Sequence, residues 1–135
     1  MTSLDDTTIA RLGHLNYVET SREYARWSGR QGAVVEEDGL MLFATGSPFP
    51  VLLNGVWRLD AGVPGDEVIG RADEWFAARG RGYTVMVRPG VEEDVDLLAA
   101  ALGAGLHAVT DSPEMVIRAR VAPPTLPDGV SLRWL

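Results

Sequence analysis

Few side chains in this 135-residue sequence have the types and spacing that catalysis requires. Cysteine is absent, which excludes disulfides, cysteine-ligated zinc, iron–sulfur clusters and thiol nucleophiles. The two histidines, His14 and His107, are too far apart in the sequence to form a metal-binding motif. None of the six serines has a Gly-x-Ser-x-Gly setting, so a hydrolase nucleophile is not predicted.

Charge narrows the class of partner. The twelve basic residues, all of them arginine, face nineteen acidic residues, which gives a net charge of −7 and a pI near 4.7. Such a chain repels phosphate backbones, so no nucleic acid partner is predicted. Because the arginines are scattered among acidic residues, we attribute the absence of lysine to codon usage in a GC-rich genome rather than to an anion-binding cluster.

Length and composition predict one soluble globular domain. Hydrophobic residues make up 46% of the chain and charged residues 23%, and 135 residues can bury a substantial core. No apolar run approaches the roughly 20 residues that a membrane helix needs, so no membrane partner is predicted. Residues 1–6 are acidic and lack the features of a signal peptide, which favours a cytoplasmic location.

Three stretches that must position any site are predicted to be helical. Residues 5–28 are predicted to form two helices, because residues 20–23 (Thr-Ser-Arg-Glu) make a capping box at which a second helix can restart. Residues 65–79 and residues 91–102 each place apolar side chains at helical spacing along one face. Those faces consist of Val68, Ile69, Ala72, Trp75 and Phe76 in the former helix and of Val91, Val95, Leu98 and Leu102 in the latter.

Apolar runs and turn residues predict the strands. Asp38-Gly39 fits a type I′ turn between two strand-like runs, which predicts a hairpin over residues 33–44. The next strand, over residues 51–59, is predicted to be interrupted at Asn54-Gly55, where glycine marks a bulge or a close backbone approach. The remaining strands are predicted over residues 83–88, 106–110 and 115–121.

The element order α-α-β-β-β-α-β-α-β-β predicts an α/β (α+β) fold with a mixed, mostly antiparallel central sheet and helices on both faces. The strand, helix and strand over residues 83–110 favour a parallel pair with a right-handed crossover.

The domain is predicted to span residues 1–122, because the composition changes after it. Pro123, Pro124 and Pro127 make a stiff linker, and residues 130–135 alternate between apolar and polar like a half-buried strand. We expect residues 123–135 to be a linker and the first strand of a missing second domain. The alternative is a last strand of the same sheet.

In this element order, residues 5–121 resemble the GNAT family of acetyl-CoA-dependent N-acetyltransferases. Local similarity lies in residues 73–88 (DEWFAARGRGYTVMVR), 48–56 (PFPVLLNGV) and 112–117 (SPEMVI). These segments are similar to the degenerate N-terminal GNAT-like domain of two-domain bacterial acetyltransferases. The resemblance implies that a missing C-terminal GNAT domain binds acetyl-CoA and transfers the acetyl group to an amine. The present domain would then shape the substrate side or support packing in a homo-oligomer.

The family holds the acetyl-CoA pyrophosphate in an Arg/Gln-x-x-Gly-x-Gly/Ala loop at a helix N-terminus. The matching stretch here is residues 62–70. Pro64 has no N–H to donate, and Asp66 and Glu67 place negative charge where the phosphates would lie. The loop is therefore expected to be absent, and no cofactor is expected in this chain.

The resemblance also locates the family's catalytic groups. The general acid, often a tyrosine, falls at Ala101, which cannot transfer a proton. A general base could be Glu36, Glu37 or Asp60, but each is more simply a solvated acid at a strand end or turn. No catalytic residue is therefore assigned.

One candidate site follows from the resemblance. GNAT sheets splay between the strands that correspond to residues 51–59 and 83–88, and this leaves a cleft. Asn54, Trp57 and Arg88 are the residues expected to face it, as a binding groove or an interdomain contact.

The tryptophans Trp27, Trp57 and Trp75 could line a pocket, but packing in or beside the core is the expectation. The function expected overall is a non-catalytic GNAT-like domain of an N-acetyltransferase. The alternatives are a complete single-domain N-acetyltransferase with an atypical acetyl-CoA loop, and a non-enzymatic ligand-sensing or interaction domain.

Overall fold

A computed structural model of the chain describes residues 4–111 and 125–131. These residues form three α-helices, two short 3-10 helices and one four-stranded sheet. In chain order the helices and strands are α1 (Asp6–Trp27), β1 (Ala33–Glu37), β2 (Leu40–Ala44), β3 (Asn54–Arg58), α2 (Gly65–Ala77), β4 (Thr84–Val85) and α3 (Val95–Gly103). The 3-10 helices are Gly29–Gln31 and Glu92–Asp94.

Helix α1 is one continuous helix of 22 residues. Its N-cap is Asp5, whose carboxylate accepts a hydrogen bond from the Thr8 N–H at 2.7 Å. The predicted restart at residues 20–23 is wrong. The Thr20 and Ser21 hydroxyls instead donate to the carbonyls of Asn16 and Tyr17, one turn back, and so remain inside the helix.

The hairpin of β1 and β2 is confirmed. The strands pair antiparallel from Ala33–Ala44 to Glu37–Leu40. Asp38 and Gly39 both have positive φ, 46° and 76°, as a type I′ turn requires.

Strand β3 begins later than predicted and is not interrupted. The Pro50 carbonyl accepts hydrogen bonds from the N–H groups of Leu53 and Asn54, so residues 51–53 form a turn. Gly55 marks a close backbone approach, because a Cβ there would lie 2.8 Å from the Thr84 carbonyl oxygen.

The parallel pair of the sheet is formed by β3 and β4, which the α2 crossover connects. Its register pairs Gly55 with Thr84 and Val56 with Val85. The predicted parallel unit over residues 83–110 is wrong, because residues 104–111 contain no strand. Gly105, at φ 84°, ends α3 there, and the Leu106 N–H donates to the Ala101 carbonyl in a helix cap.

The sheet order is β1-β2-β3-β4, with two antiparallel pairs and one parallel pair. Alternate residues of β2 and β3 face opposite sides. Met41, Phe43 and Trp57 pack with α1, and Leu40, Leu42 and Val56 pack with α2 and α3. The predicted fold class, a mixed and mostly antiparallel sheet with helices on both faces, is confirmed.

Helix α2 buries the predicted face: Val68, Ile69, Ala72 and Phe76 lie in the core and Trp75 packs against it. For α3 the predicted face is wrong. Leu97 and Ala101 are buried, whereas Val95, Leu98 and Leu102 are exposed.

The strand predicted over residues 115–121 lies outside the described residues. So do residues 132–135 of the predicted final strand, and the described residues 125–131 include no strand. In the part of the chain that the structure describes, no helix has the length and hydrophobicity needed to cross a bilayer.

Candidate functional site

Asn54 lies at the start of β3, fully buried. Its side-chain oxygen accepts a hydrogen bond from the Thr45 N–H at 2.9 Å, and its Nδ2 donates to the Ser47 carbonyl at 3.0 Å. Asn54 therefore holds the chain where it leaves β2. Its polar groups are already used within the fold.

Trp57 is buried on the opposite face of the sheet, against α1. Its indole N–H donates to Ser21 Oγ at 2.9 Å. The rings of His14 and Tyr17 approach it edge-on, with centroids 5.3 and 5.4 Å away. These contacts confirm the predicted core packing of Trp57.

Arg88 follows β4, and its guanidinium forms a bidentate ion pair with the Asp94 carboxylate. Nε and NH2 donate to the two carboxylate oxygens at 2.9 and 2.8 Å, and the Arg88 backbone N–H adds a third hydrogen bond at 2.8 Å. Asn54 and Trp57 lie on opposite sheet faces, so the structure does not bring the three predicted residues to one surface.

The space beside the end of β3 is filled by a charged cluster that sequence reasoning missed. Arg58 has a side chain only 2% exposed, and it bonds the carbonyls of Val63 and Glu93. Its NH1 also lies 2.9 Å from each carboxylate oxygen of Asp96, and its NH2 lies 3.4 Å from Asp94. In the sequence Arg58 looks like an ordinary polar residue at a strand end, and its acidic partners Asp94 and Asp96 are more than 30 positions away.

Asp94 is the buried acid of this cluster. Burial alone would raise the pKa of Asp94, but hydrogen bonds from Arg88 and Arg58 outweigh it and lower that pKa to about 2. Asp94 is therefore ionised throughout the neutral range.

Asp96 connects the cluster to the N-terminus of α2. Its Oδ2 accepts a hydrogen bond from the Gly65 N–H, the first residue of that helix, at 2.9 Å. The hydrogen bond from Arg58 and then that from Gly65 lower the pKa of Asp96. A carboxylate from within the chain thus lies at the helix terminus that the resemblance assigns to pyrophosphate.

The other positions considered for catalysis have structural contacts. Ala101 is buried in α3, and Glu36 Oε1 accepts from Arg22 Nε at 2.5 Å. The Glu37 carbonyl accepts a hydrogen bond from Arg71, and Asp60 accepts one from the Gly62 N–H.

A hollow of about 330 Å³ lies between the C-terminal end of α1 and the segment that follows β2. We call it the Trp27 hollow. It is lined by Tyr24, Trp27, Ser28, Gln31, Thr45, Gly46, Ser47 and Leu53.

The Trp27 hollow is marked by exposed aromatic side chains. Trp27 is 77% exposed, so the expectation that it packs in or beside the core is wrong. The Tyr24 and Trp27 ring centroids are 6.5 Å apart, with planes inclined at 59°. On the loop that borders the hollow, Phe49 and Leu52 are also exposed, and Leu52 has a φ of +65°. The sequence indicates the exposure of Trp27 only through its position as the last residue of its helix.

A second depression, between α2 and α3, is lined by Asp66, Asp73, Asp96 and several glycines and alanines. Two of these acids already accept hydrogen bonds, Asp73 from Tyr83 and Asp96 from Arg58. Within residues 4–111 and 125–131, no group of three or more His, Cys, Asp or Glu is arranged to hold a metal ion.

No protein-family model matches the chain, and neither the curated proteins nor the solved structures include a match.

Proposed function

We propose that this chain is a non-catalytic, GNAT-like domain of a cytoplasmic N-acetyltransferase, and that it supports a C-terminal catalytic GNAT domain. The mixed sheet with helices on both faces is compatible with such a domain. Acyl transfer from acetyl-CoA to an amine belongs, in this proposal, to the catalytic partner domain. The lack of cysteine is compatible with the cytoplasm.

The observation that carries the proposal is the contact between Asp96 and Gly65. In a GNAT acetyltransferase, N–H groups at this helix terminus hold the cofactor's pyrophosphate. Here the Gly65 N–H is bonded to an ionised carboxylate of the same chain at 2.9 Å. A pyrophosphate would have to displace that carboxylate and approach Asp66 and Glu67 in the same helical turn.

Two further features support a non-catalytic role. The position that corresponds to the family's general acid is Ala101, which is buried and has no group to protonate a thiolate. Arg58, the last residue of β3, and Arg88, which follows β4, are hydrogen-bonded to Asp94 and Asp96. These contacts leave the cationic groups fixed within the fold.

Calorimetric titration of the 135-residue chain with acetyl-CoA tests this proposal. We expect no binding heat at concentrations that saturate an active GNAT acetyltransferase titrated in the same buffer as a positive control. Titration with coenzyme A and circular dichroism of the sample serve as further controls. Saturable binding of acetyl-CoA by a folded sample would overturn the proposal in favour of a complete enzyme with an atypical loop.

A second candidate is an interaction domain that works without any acetyltransferase partner. The exposed aromatic side chains of the Trp27 hollow favour it, because such surfaces mark partner sites. The genomic reading frame distinguishes the two candidates. A catalytic acetyltransferase domain encoded after residue 135 favours the first, and its absence favours the second.

A further inference from the structure

We propose that the Trp27 hollow binds the proline-rich segment, residues 123–127, of a second copy of this chain. The inference concerns self-association and does not depend on the acetyltransferase proposal.

Large apolar side chains in and beside the hollow are exposed. Trp27 presents 77% of its surface to solvent and Phe49 60%, and Tyr24 and Leu52 are also exposed. Tyr24 and Trp27 both line the hollow, and exposed tryptophan and tyrosine are typical interface anchors that contribute most of the binding energy.

The described lining of the hollow combines aromatic rings with uncharged polar groups. The eight lining residues that the structure describes are all uncharged, so this part of the hollow favours a neutral, largely apolar ligand. The Tyr24 and Trp27 rings lie side by side with centroids 6.5 Å apart, and both side chains are exposed, so they offer an aromatic surface on which proline rings can pack. Proline-rich segments bind aromatic-lined grooves in this way, and their unpaired carbonyls need donors. The Trp27 indole, the Gln31 amide and the Ser47 hydroxyl can supply such donors.

The proline-rich segment of this chain has the composition that such a lining would bind. Residues 123–127 read Pro-Pro-Thr-Leu-Pro, with three prolines and no charge. Of the described part, Thr125 and Pro127 are exposed, and no residue of the range 125–131 lines the hollow of its own chain. Trp27, Thr125 and Pro127 are therefore exposed for contact with a second copy. Reciprocal exchange between two copies makes a closed two-fold dimer.

Electrostatics gives this dimer a recognisable salt dependence. Each copy carries a net charge of −7, so two copies repel each other while the contact itself is uncharged. Added salt screens that repulsion, and the dimer should therefore become stronger as ionic strength rises.

Sedimentation velocity of the full chain over a concentration series tests the proposal. We expect a reversible dimer that strengthens with salt. Trp27→Ala and Pro127→Ala should each weaken it by at least about 30-fold, the effect of losing one interface anchor. Both residues are exposed, so neither substitution removes a core contact.

A mixing experiment makes the test specific. Trp27→Ala keeps its segment and Pro127→Ala keeps its hollow, so an equimolar mixture has one intact contact per pair and should dimerise more than either variant alone. The control is Leu102→Ala, which removes an exposed apolar side chain from α3 and should leave the dimer unchanged. A wild-type chain that stays monomeric at about millimolar concentration, dissociation by Leu102→Ala, or a mixture no better than its components would each overturn the proposal.

Discussion

Buried charge in this molecule depends on a few short contacts around Asp94. The Asp94 side chain is 5% exposed and that of its partner Arg58 is 2% exposed. A buried carboxylate is costly unless hydrogen bonds compensate it, and here Arg88 and Arg58 provide them. Arg88 was predicted to face a ligand cleft, but its guanidinium is hydrogen-bonded to Asp94 within the fold. The sequence could not show this contact, because it depends on where the fold places Asp94.

The lowered pKa of Asp94 predicts how stability depends on pH. The folded-state pKa, about 2, is below the ordinary value of 3.8, so ionised Asp94 stabilises the fold above pH 4. This stabilisation is lost as the pH falls from 3.8 through about 2. We expect Asp94→Asn to lower the free energy of unfolding at neutral pH by about 1–3 kcal/mol, because the arginines lose a charged acceptor. The variant should also lose less stability in acid.

Denaturant unfolding at a series of pH values measures both effects. Glu92→Gln is the matched control, because Glu92 is an exposed acid two positions away. An acid-induced loss of stability as steep in Asp94→Asn as in the wild type would show that other carboxylates cause it.

Local elements were predictable where local chemistry decides them. The Asp38-Gly39 turn needs only residues that tolerate positive φ, and α2 needs only its apolar spacing and its acidic first turn. The predicted interruption of α1 failed because a Ser or Thr hydroxyl can cap a new helix or bond back within the same one. Local sequence does not decide between these outcomes.

Long-range packing explains why the buried face of α3 and the positions of Asn54 and Trp57 differ from the predictions. Apart from Asp96, every residue of α3 is Val, Leu, Ala or Gly, so periodicity alone could not show that Leu97 and Ala101 are the residues facing the core. The separation of Asn54 and Trp57, two residues predicted to share a cleft, has a similar cause. Asn54 and Trp57 alternate across a strand whose two faces are both covered, and nothing local indicates that both are buried.

The contact between α2 and α3 leads to a prediction about glycine. A Cβ at Gly65 would lie 2.7 Å from the Asp96 carbonyl oxygen and 2.9 Å from Leu97 Cα, so Gly65→Ala must push the two helices apart. We expect a loss of about 1–3 kcal/mol in the free energy of unfolding.

Gly70→Ala is the control within the same helix. It has open space and should stabilise the chain by about 0.5–1 kcal/mol through helix propensity. Thermal or denaturant unfolding of both variants measures the difference, and equal effects would contradict the close approach.

At the scale of the whole molecule, the sheet separates two apolar clusters among the residues that the structure describes. One lies beneath α1 and the other between the sheet and α2 with α3. Strand β2 contributes to both, because all five of its residues are buried. β4, in contrast, is a two-residue strand paired with β3. Stability should therefore be greatest at β2 and decrease towards β4.

Native-state hydrogen exchange tests that gradient. We expect the β2 amides with backbone hydrogen bonds to exchange only by global unfolding, and the Met86 amide, whose partner is the Val56 carbonyl, to exchange through a smaller local opening. Mass spectrometry or NMR can follow both in one sample. Equal protection of β2 and Met86 would show that the described residues unfold as one unit.

Asp96 acts towards Gly65 as a ligand that is permanently attached to its own binding site. An anion in solution must compete with a carboxylate whose effective concentration is at least in the millimolar range, since the fold holds it in place. Anions well below that concentration therefore gain little access to this helix terminus. Replacement of the Asp96 side chain would release the Gly65 N–H, but Asp66 and Glu67 in the same helical turn would still repel an anion there, so the loss of this tethered carboxylate alone does not create an anion site.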